Sequence, residues 1–167
     1  MAPTETDWTT APVVDLIDHI VTTHHEYLKR QMPHITALLG EARPANDPIA
    51  RELAAAWTPF VEEMNDHLWK EEMVLFPMTQ AITGGTGEAA SHCGGVQKPI
   101  RVMLMEHECA SQALTAFRRI TSGYRPGDDA GAGLAALYSA LEELDHDLRI
   151  HMHKENDILF PRIVALK

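Results

Sequence analysis

The sequence contains little cysteine, few aromatic residues and little positive charge. Its 167 residues include two cysteines and 6% aromatics, and 14 basic side chains against 24 acidic ones give a formal charge of −10. Cys93 and Cys109 form no C-x-x-C pair, so neither a disulfide framework nor a zinc ribbon is predicted, and a reducing cytoplasm is the expected compartment. Because nucleic-acid backbones and anionic membrane surfaces repel an acidic chain, neither is expected as a partner.

Long hydrophobic runs are also missing. No stretch approaches the roughly 18 apolar residues of a membrane span, and the first ten residues have neither the basic nor the apolar part of a signal peptide. Membrane insertion and secretion are therefore not expected. With 45% apolar residues the chain has the composition of a soluble domain, for which we predict a tail over residues 1–12 and one domain over 13–167.

Helical periodicity and its interruptions predict four helices. No segment has the β-branched alternation of a strand, and the glycine-rich stretch 83–96 indicates a long loop. The predicted helices cover 13–39 (helix A), 48–81 (helix B), about 99–120 (helix C) and about 130–165 (helix D). The predicted fold is all-α, an antiparallel up-down-up-down four-helix bundle with the long loop between helices B and C.

An internal repeat distinguishes this sequence from an ordinary helical bundle. Residues 67–77 and 151–161 both have the pattern H-x-x-K-E-x-x-x-L-F-P, at an offset of 84. A weaker similarity at an offset of 82 relates His24-His25-Glu26 to Glu106-His107-Glu108. The pattern indicates two related helix hairpins about a pseudo-two-fold axis.

The repeat carries side chains that bind metal. Four residues span nearly one helical turn, so His67 and Glu71 share a face, as do His151 and Glu155. His107 and either His24 or His25, between which the periodicity does not choose, fall near the same level. Histidine with carboxylate suits iron, manganese or zinc. Six such ligands suit two octahedral metals that share bridging carboxylates and keep open positions for a small diatomic ligand.

Other interpretations of these side chains are less consistent with the sequence than a metal site. A single H-x-x-x-E is usually ordinary helix pairing, but two copies in one eleven-residue pattern favour metal. The Glu-x-x-His motif of ferritin-like bundles occurs once, at Glu143 and His146, which is too few. Cys109 is predicted to face away from the site as a buried thiol. Five other histidines are predicted to face solvent: His19, His34, His92, His146 and His153. Four methionines near the site are predicted to form apolar lining: Met64, Met103, Met105 and Met152.

The motifs together resemble hemerythrin-like domains, and more narrowly the hemerythrin-like half of the iron-sulfur cluster repair di-iron proteins. The resemblance covers residues 13–165 and rests on the two eleven-residue repeats, on 16–25 with Gln31-Met32-Pro33, and on 97–108. It implies that His25 rather than His24 is the ligand of helix A. The implied centre is two non-heme irons with an oxo or hydroxo bridge, zinc and manganese being alternatives. Its implied ligands are His25, His67, Glu71, His107, His151 and Glu155, with Glu63 and Glu106 as nearby carboxylates that could relay protons.

The resemblance has two departures. Oxygen-carrying hemerythrins have a fifth histidine and an aspartate where this chain has Ser111 and Asn156, which argues against oxygen carriage. Full-length repair proteins also have a small cysteine-containing N-terminal domain, which we do not expect in this chain.

The function that the resemblance implies is binding or reduction of nitric oxide, or of O2, in nitrosative or oxidative stress. Repair of iron-sulfur clusters in a client protein is the associated role, and any enzymatic activity would be that of an oxidoreductase. The alternatives are a reversible O2 or nitric oxide binder without turnover, and a structural interaction module that metal stabilises.

Overall fold

Seven α-helical segments and three π-helical turns make up the regular structure of the described residues. The computed structural model describes residues 6–42, 47–84, 95–128 and 130–166, and these ranges contain no strand. The α segments are α1 (Val13–His19), α2 (Glu26–Glu41), α3 (Pro48–Lys70), α4 (Phe76–Thr83), α5 (Gln97–Ile120), α6 (Ala132–His153) and α7 (Phe160–Ala165). The π turns are Ile20–His25, Glu71–Leu75 and Lys154–Leu159.

These segments join into four long helices, as the sequence predicted. Helix A runs from 13 to 41, helix B from 48 to 83, helix C is α5 and helix D runs from 132 to 165. The all-α class is therefore confirmed, and the predicted ends lie within about two residues of the observed ones. The predicted glycine-rich loop falls mostly on residues 85–94, which lie outside the described residues.

Local capping geometry marks the start of helix B and the end of helix C. Asp47 caps helix B, because its carboxylate accepts from the amides of Ile49 and Ala50 at 2.8 and 3.2 Å. Helix C ends where Gly123 adopts a φ of 77°, a left-handed conformation that glycine takes without strain.

We expect Asp47→Ala to lower the free energy of unfolding by about 1 kcal/mol, because two amides of the first turn lose their acceptor. Urea denaturation measures this difference. Asp47→Ser, which keeps a capping oxygen, should retain most of the stability, and equal losses in both variants would contradict a capping role.

Two apolar clusters lie on either side of a polar layer. The larger contains Trp57, Phe60 and Phe117, and the smaller contains Leu16, Phe76 and Phe160. Phe76 and Phe160 come from the two L-F-P motifs, and their rings stack on His25 and His107 at centroid distances of 5.8 and 5.7 Å. These motifs therefore pack directly beside the candidate ligands, in a symmetric way that matches the repeat. Within the described ranges, no helix is both long and apolar enough to span a membrane.

Candidate metal centre

All six side chains proposed as ligands meet in the polar layer between the two apolar clusters. They form two groups of four whose ligand atoms lie within 4.8 Å of one another, and the groups share Glu71 and Glu155. One group adds His25 and His151, from helices A and D, and the other adds His67 and His107, from helices B and C. Each of the six is at most 3% exposed.

The distances between ligand atoms are similar in the two histidine pairs around the shared carboxylates. The Nε2 atoms of His25 and His151 are 3.2 Å apart, and those of His67 and His107 are 3.1 Å apart. Glu71 Oε2 lies 3.4 Å from Nε2 of both His25 and His67. The two oxygens of Glu155 divide between the pairs, with Oε1 3.1 Å from His151 Nε2 and Oε2 3.2 Å from His107 Nε2. Both carboxylates thus face one histidine of each pair.

Wide helical turns position three of these side chains. His25 ends one π turn, Glu71 begins the second and Glu155 lies in the third. Pro77 and Pro161 each lie just after one of these turns, and a proline has no N–H for the carbonyl four residues earlier. Proline alone does not produce a π turn in this chain, because Pro33 and Pro59 lie inside α-helices. The π turns were not predicted from the sequence.

Acceptors on neighbouring helices fix the orientation of three of the four imidazoles. His25 Nδ1 lies 2.8 Å from Glu72 Oε1, His67 Nδ1 lies 2.9 Å from Glu106 Oε2, and His107 Nδ1 lies 2.6 Å from Asn156 Oδ1. An ionised carboxylate and an amide oxygen only accept, so these Nδ1 atoms carry the proton and donate it. When these rings are neutral, each Nε2 presents its lone pair to the centre, which is the arrangement of a metal-binding histidine. Glu72 and Asn156 were missed in the sequence, although both directly follow a candidate ligand in the repeat.

The donor set fits a metal better than it fits a hydrogen-bonded core. Both oxygens of Glu71 and of Glu155 are buried without a hydrogen-bond partner among the described residues. Buried carboxylates without compensation are costly, and a positive charge beside them, from a metal ion or from a protonated imidazole, offsets that cost. Two nitrogens bound at right angles to one ion, at about 2.1 Å each, would be about 3 Å apart, close to the observed spacing. The centre can therefore hold metal.

Burial also perturbs the acids and bases of the centre. Burial, and then the neighbouring Glu155 carboxylate, raise the pKa of Glu71. Burial lowers the pKa of His25, which favours its neutral form. Both directions reflect the cost of charge in a closed site, and a bound cation would oppose the shift of Glu71.

Glu63 and Glu106 occupy different positions beside the centre. Glu106 is held by His67 and by Lys70, whose Nζ lies 2.5 Å from Oε1. The hydrogen bond from His67, followed by that from Lys70, lowers the pKa of Glu106 to about 2 despite its partial burial. Glu63 is exposed, and both acids line a cavity of about 260 Å³ that reaches His67 and His107.

His24 is buried beside the centre but faces a different set of groups. Its Nδ1 lies 2.9 Å from Asp147 Oδ1, and its Nε2 lies 2.9 Å from Lys154 Nζ. It belongs to neither ligand group, so the geometry favours His25.

The remaining side-chain predictions have mixed outcomes. Two predictions were wrong: Cys109 is exposed rather than buried, and Met105 is 70% exposed rather than part of the lining. His19 is only half-buried, stacked on Trp8 at a centroid distance of 4.3 Å. The expected exposure is confirmed for His34, His146 and His153, whereas His92 lies outside the described residues.

Comparison with known proteins gives consistent matches. The family model of the hemerythrin HHE cation binding domain matches residues 16–163. The iron-sulfur cluster repair protein YtfE of Salmonella schwarzengrund is 35% identical over 166 residues, which cover 98% of this chain and 71% of that protein. A probable iron-sulfur cluster repair protein of Haemophilus influenzae is 37% identical over 164 residues, with 96% of this chain and 70% of that protein covered.

Proposed function

The chain belongs to the family of hemerythrin HHE cation binding domains, and from this membership we propose that it is a non-heme di-iron protein that supports repair of iron-sulfur clusters. The family match agrees with the resemblance in the sequence motifs. The repair role is proposed because similar proteins from Salmonella schwarzengrund and Haemophilus influenzae carry that name.

The proposed iron ligands are the six clustered side chains. His25 and His151 would hold one ion, His67 and His107 the other, and Glu71 and Glu155 would bridge them, together with an oxo or hydroxo group. When bound, two irons supply redox chemistry and open coordination positions. The observation that carries the proposal is that four imidazole Nε2 atoms lie 3.1–3.4 Å from carboxylate oxygens of two fully buried glutamates.

A small diatomic such as nitric oxide or O2 is the proposed ligand. The cavity beside His67 and His107 supports this proposal, because it brings a small ligand up to two of the candidate ligand histidines. Glu63, at the exposed side of the cavity, is the proposed proton relay to such a ligand. Glu106, which also holds the His67 ring, is the second proposed relay.

We propose that the four helices alternate in direction. The Trp57–Thr36 and Lys29–Glu72 hydrogen bonds support this between helices A and B, since the residue number falls in one helix as it rises in the other. The scarcity of cysteine supports a reducing compartment such as the cytoplasm.

Metal content and repair activity test the proposed function together. Protein from iron-replete cells should contain about two irons per chain, with the absorption of a bridged di-iron centre. The loaded protein, and not the metal-free control, should reactivate an iron-sulfur enzyme damaged by nitric oxide. Two irons with reversible nitric oxide binding but no reactivation would instead identify a binder. A single zinc ion, or no metal, would favour a structural module.

A further inference from the structure

We infer that the two metal positions are unequal, and that the position between His25 and His151 binds metal more weakly than the one between His67 and His107. The inference rests on the proposed di-metal centre and on differences between the two halves of the internal repeat. The repeat makes the two halves comparable residue by residue: the offset of 84 aligns Lys70 with Lys154 and Glu72 with Asn156, and the offset of 82 aligns Glu106 with His24.

In one half, a carboxylate supports the ligand of helix B. Glu106 precedes His107 on helix C, accepts from His67 Nδ1 at 2.9 Å and binds Lys70 Nζ at 2.5 Å. Lys70 thus orients Glu106, and Glu106 in turn orients His67. We call Nδ1, which faces away from the centre, the outer nitrogen of each ring. A carboxylate that accepts a hydrogen bond from this nitrogen makes an imidazole a stronger metal ligand.

In the other half, a histidine occupies the place of that carboxylate. His24 precedes His25 on helix A, and Lys154 Nζ lies 2.9 Å from its Nε2, just as Lys70 contacts Glu106. The His24 ring is parallel to that of His151, with an interplanar angle of 2° and a centroid distance of 5.4 Å. A stacked ring presents its face and not a lone pair. Asp147, one turn before His151, accepts from His24 Nδ1 instead.

Among the described residues, His151 is consequently the one candidate ligand histidine without a hydrogen-bond partner on Nδ1. Its Nδ1 is buried and has no hydrogen-bond partner in the part of the chain that the structure describes. Each position has one further hydrogen bond to an outer nitrogen, because Glu72 accepts from His25 Nδ1 and Asn156 accepts from His107 Nδ1. The position of His67 and His107 therefore has two supported ligands, and the other position has one.

The expected size of the difference follows from the general effect of such partners. Loss of an outer-nitrogen partner typically costs 10–100-fold in metal affinity. The cavity reaches His67 and His107, so the rate of metal release would also reflect access. Affinity at equilibrium is therefore the appropriate quantity.

The experiment is an anaerobic titration of the metal-free full chain with Fe(II) against a chromophoric chelator. The wild type should bind two ions in steps that differ by about 10–100-fold beyond the statistical factor for equal sites. His24→Glu should strengthen the weaker step by about 10-fold or more, because the new carboxylate reproduces Glu106 and meets Lys154. The reciprocal Glu106→His should weaken the stronger step by a similar factor and bring the two steps together.

Control variants separate this effect from a change in charge or in fold. His34→Glu makes the same charge change at an exposed position of helix A and should leave both steps unchanged. Circular dichroism checks that each variant folds, and should His24→Glu fail to fold, the wild-type titration and Glu106→His still decide the inference. Glu71 and Glu155 are shared in every variant, so coupling through them does not differ between variants.

Two outcomes would overturn the inference without affecting the proposed function. One is binding of two ions in equal steps by the wild type, and the other is a weaker step that His24→Glu leaves unchanged. Binding of one ion or none would overturn the proposed function, and the inference with it.

Discussion

Replacing Glu71 with glutamine should leave the metal-free protein at least as stable as the wild type and reduce the stabilisation that metal provides. In the metal-free protein both Glu71 oxygens are buried without a hydrogen-bond partner among the described residues, so a neutral amide of the same shape removes an uncompensated charge. With metal present, the substitution should instead lower the stability relative to the wild type, because a ligand facing both histidine pairs is lost. The variant should therefore retain fewer than two ions per chain.

Urea denaturation with and without metal measures both expected changes in the free energy of unfolding. Each ion that binds only the folded state stabilises it by about 2.7 kcal/mol at a free concentration 100 times its Kd. The wild type should gain that amount at each position, and Glu71→Gln should lose it at one position or both.

Glu62→Gln is the matched control for Glu71→Gln, because Glu62 is an exposed glutamate of the same helix. It should behave as the wild type with and without metal. A Glu71→Gln protein that keeps two ions, or that is destabilised by several kcal/mol without metal, would show that Glu71 supports the fold rather than the centre.

The sequence contained enough to predict the helices and to select the clustered side chains. Identity between residues 67–77 and 151–161 at the histidine, lysine, glutamate and Leu-Phe-Pro positions made coincidence an unlikely source of the pattern. Helical geometry then placed His67 with Glu71 and His151 with Glu155. The structure brings these four together with His25 and His107, while their role as ligands stays a prediction.

The periodicity of the sequence does not predict contacts between helices. Spacing along one helix does not specify which neighbour it faces, so the pairing of His25 with His151, and of His67 with His107, was not predicted. The supporting contacts of Glu72 and Asn156 depend on the same packing. Fully buried Asp145, which binds Arg118, Arg149 and Tyr124, likewise had no sequence signal.

The errors at Cys109 and Met105 have a common cause. Both lie two residues from His107, and two residues correspond to about 200° around a helix. The opposite side of a helix in a bundle this small faces solvent rather than a second core. A position that points away from the site on helix C is therefore exposed, even for an apolar residue or a thiol.

Replacing Phe117 with alanine should lower the free energy of unfolding by about 3–5 kcal/mol, the usual cost of removing a buried aromatic ring. Phe117 is fully buried in the larger apolar cluster. Its ring lies 5.3 Å from that of Phe60 in an edge-to-face arrangement and 5.6 Å from that of Trp57. Because helices B and C meet at these rings, the alanine variant leaves a cavity between them that rigid neighbours cannot fill.

The measurement is urea denaturation of the metal-free protein, with a constant m-value as the sign that only stability has changed. Val102→Ala, at a position of the same helix that is 44% exposed, should stay within about 0.5 kcal/mol of the wild type. A loss below about 1 kcal/mol for Phe117→Ala would mean that the cluster collapses around the missing ring. Since Phe117 belongs to neither ligand group, the folded variant should still bind two ions, which separates the stability of the bundle from the integrity of the centre.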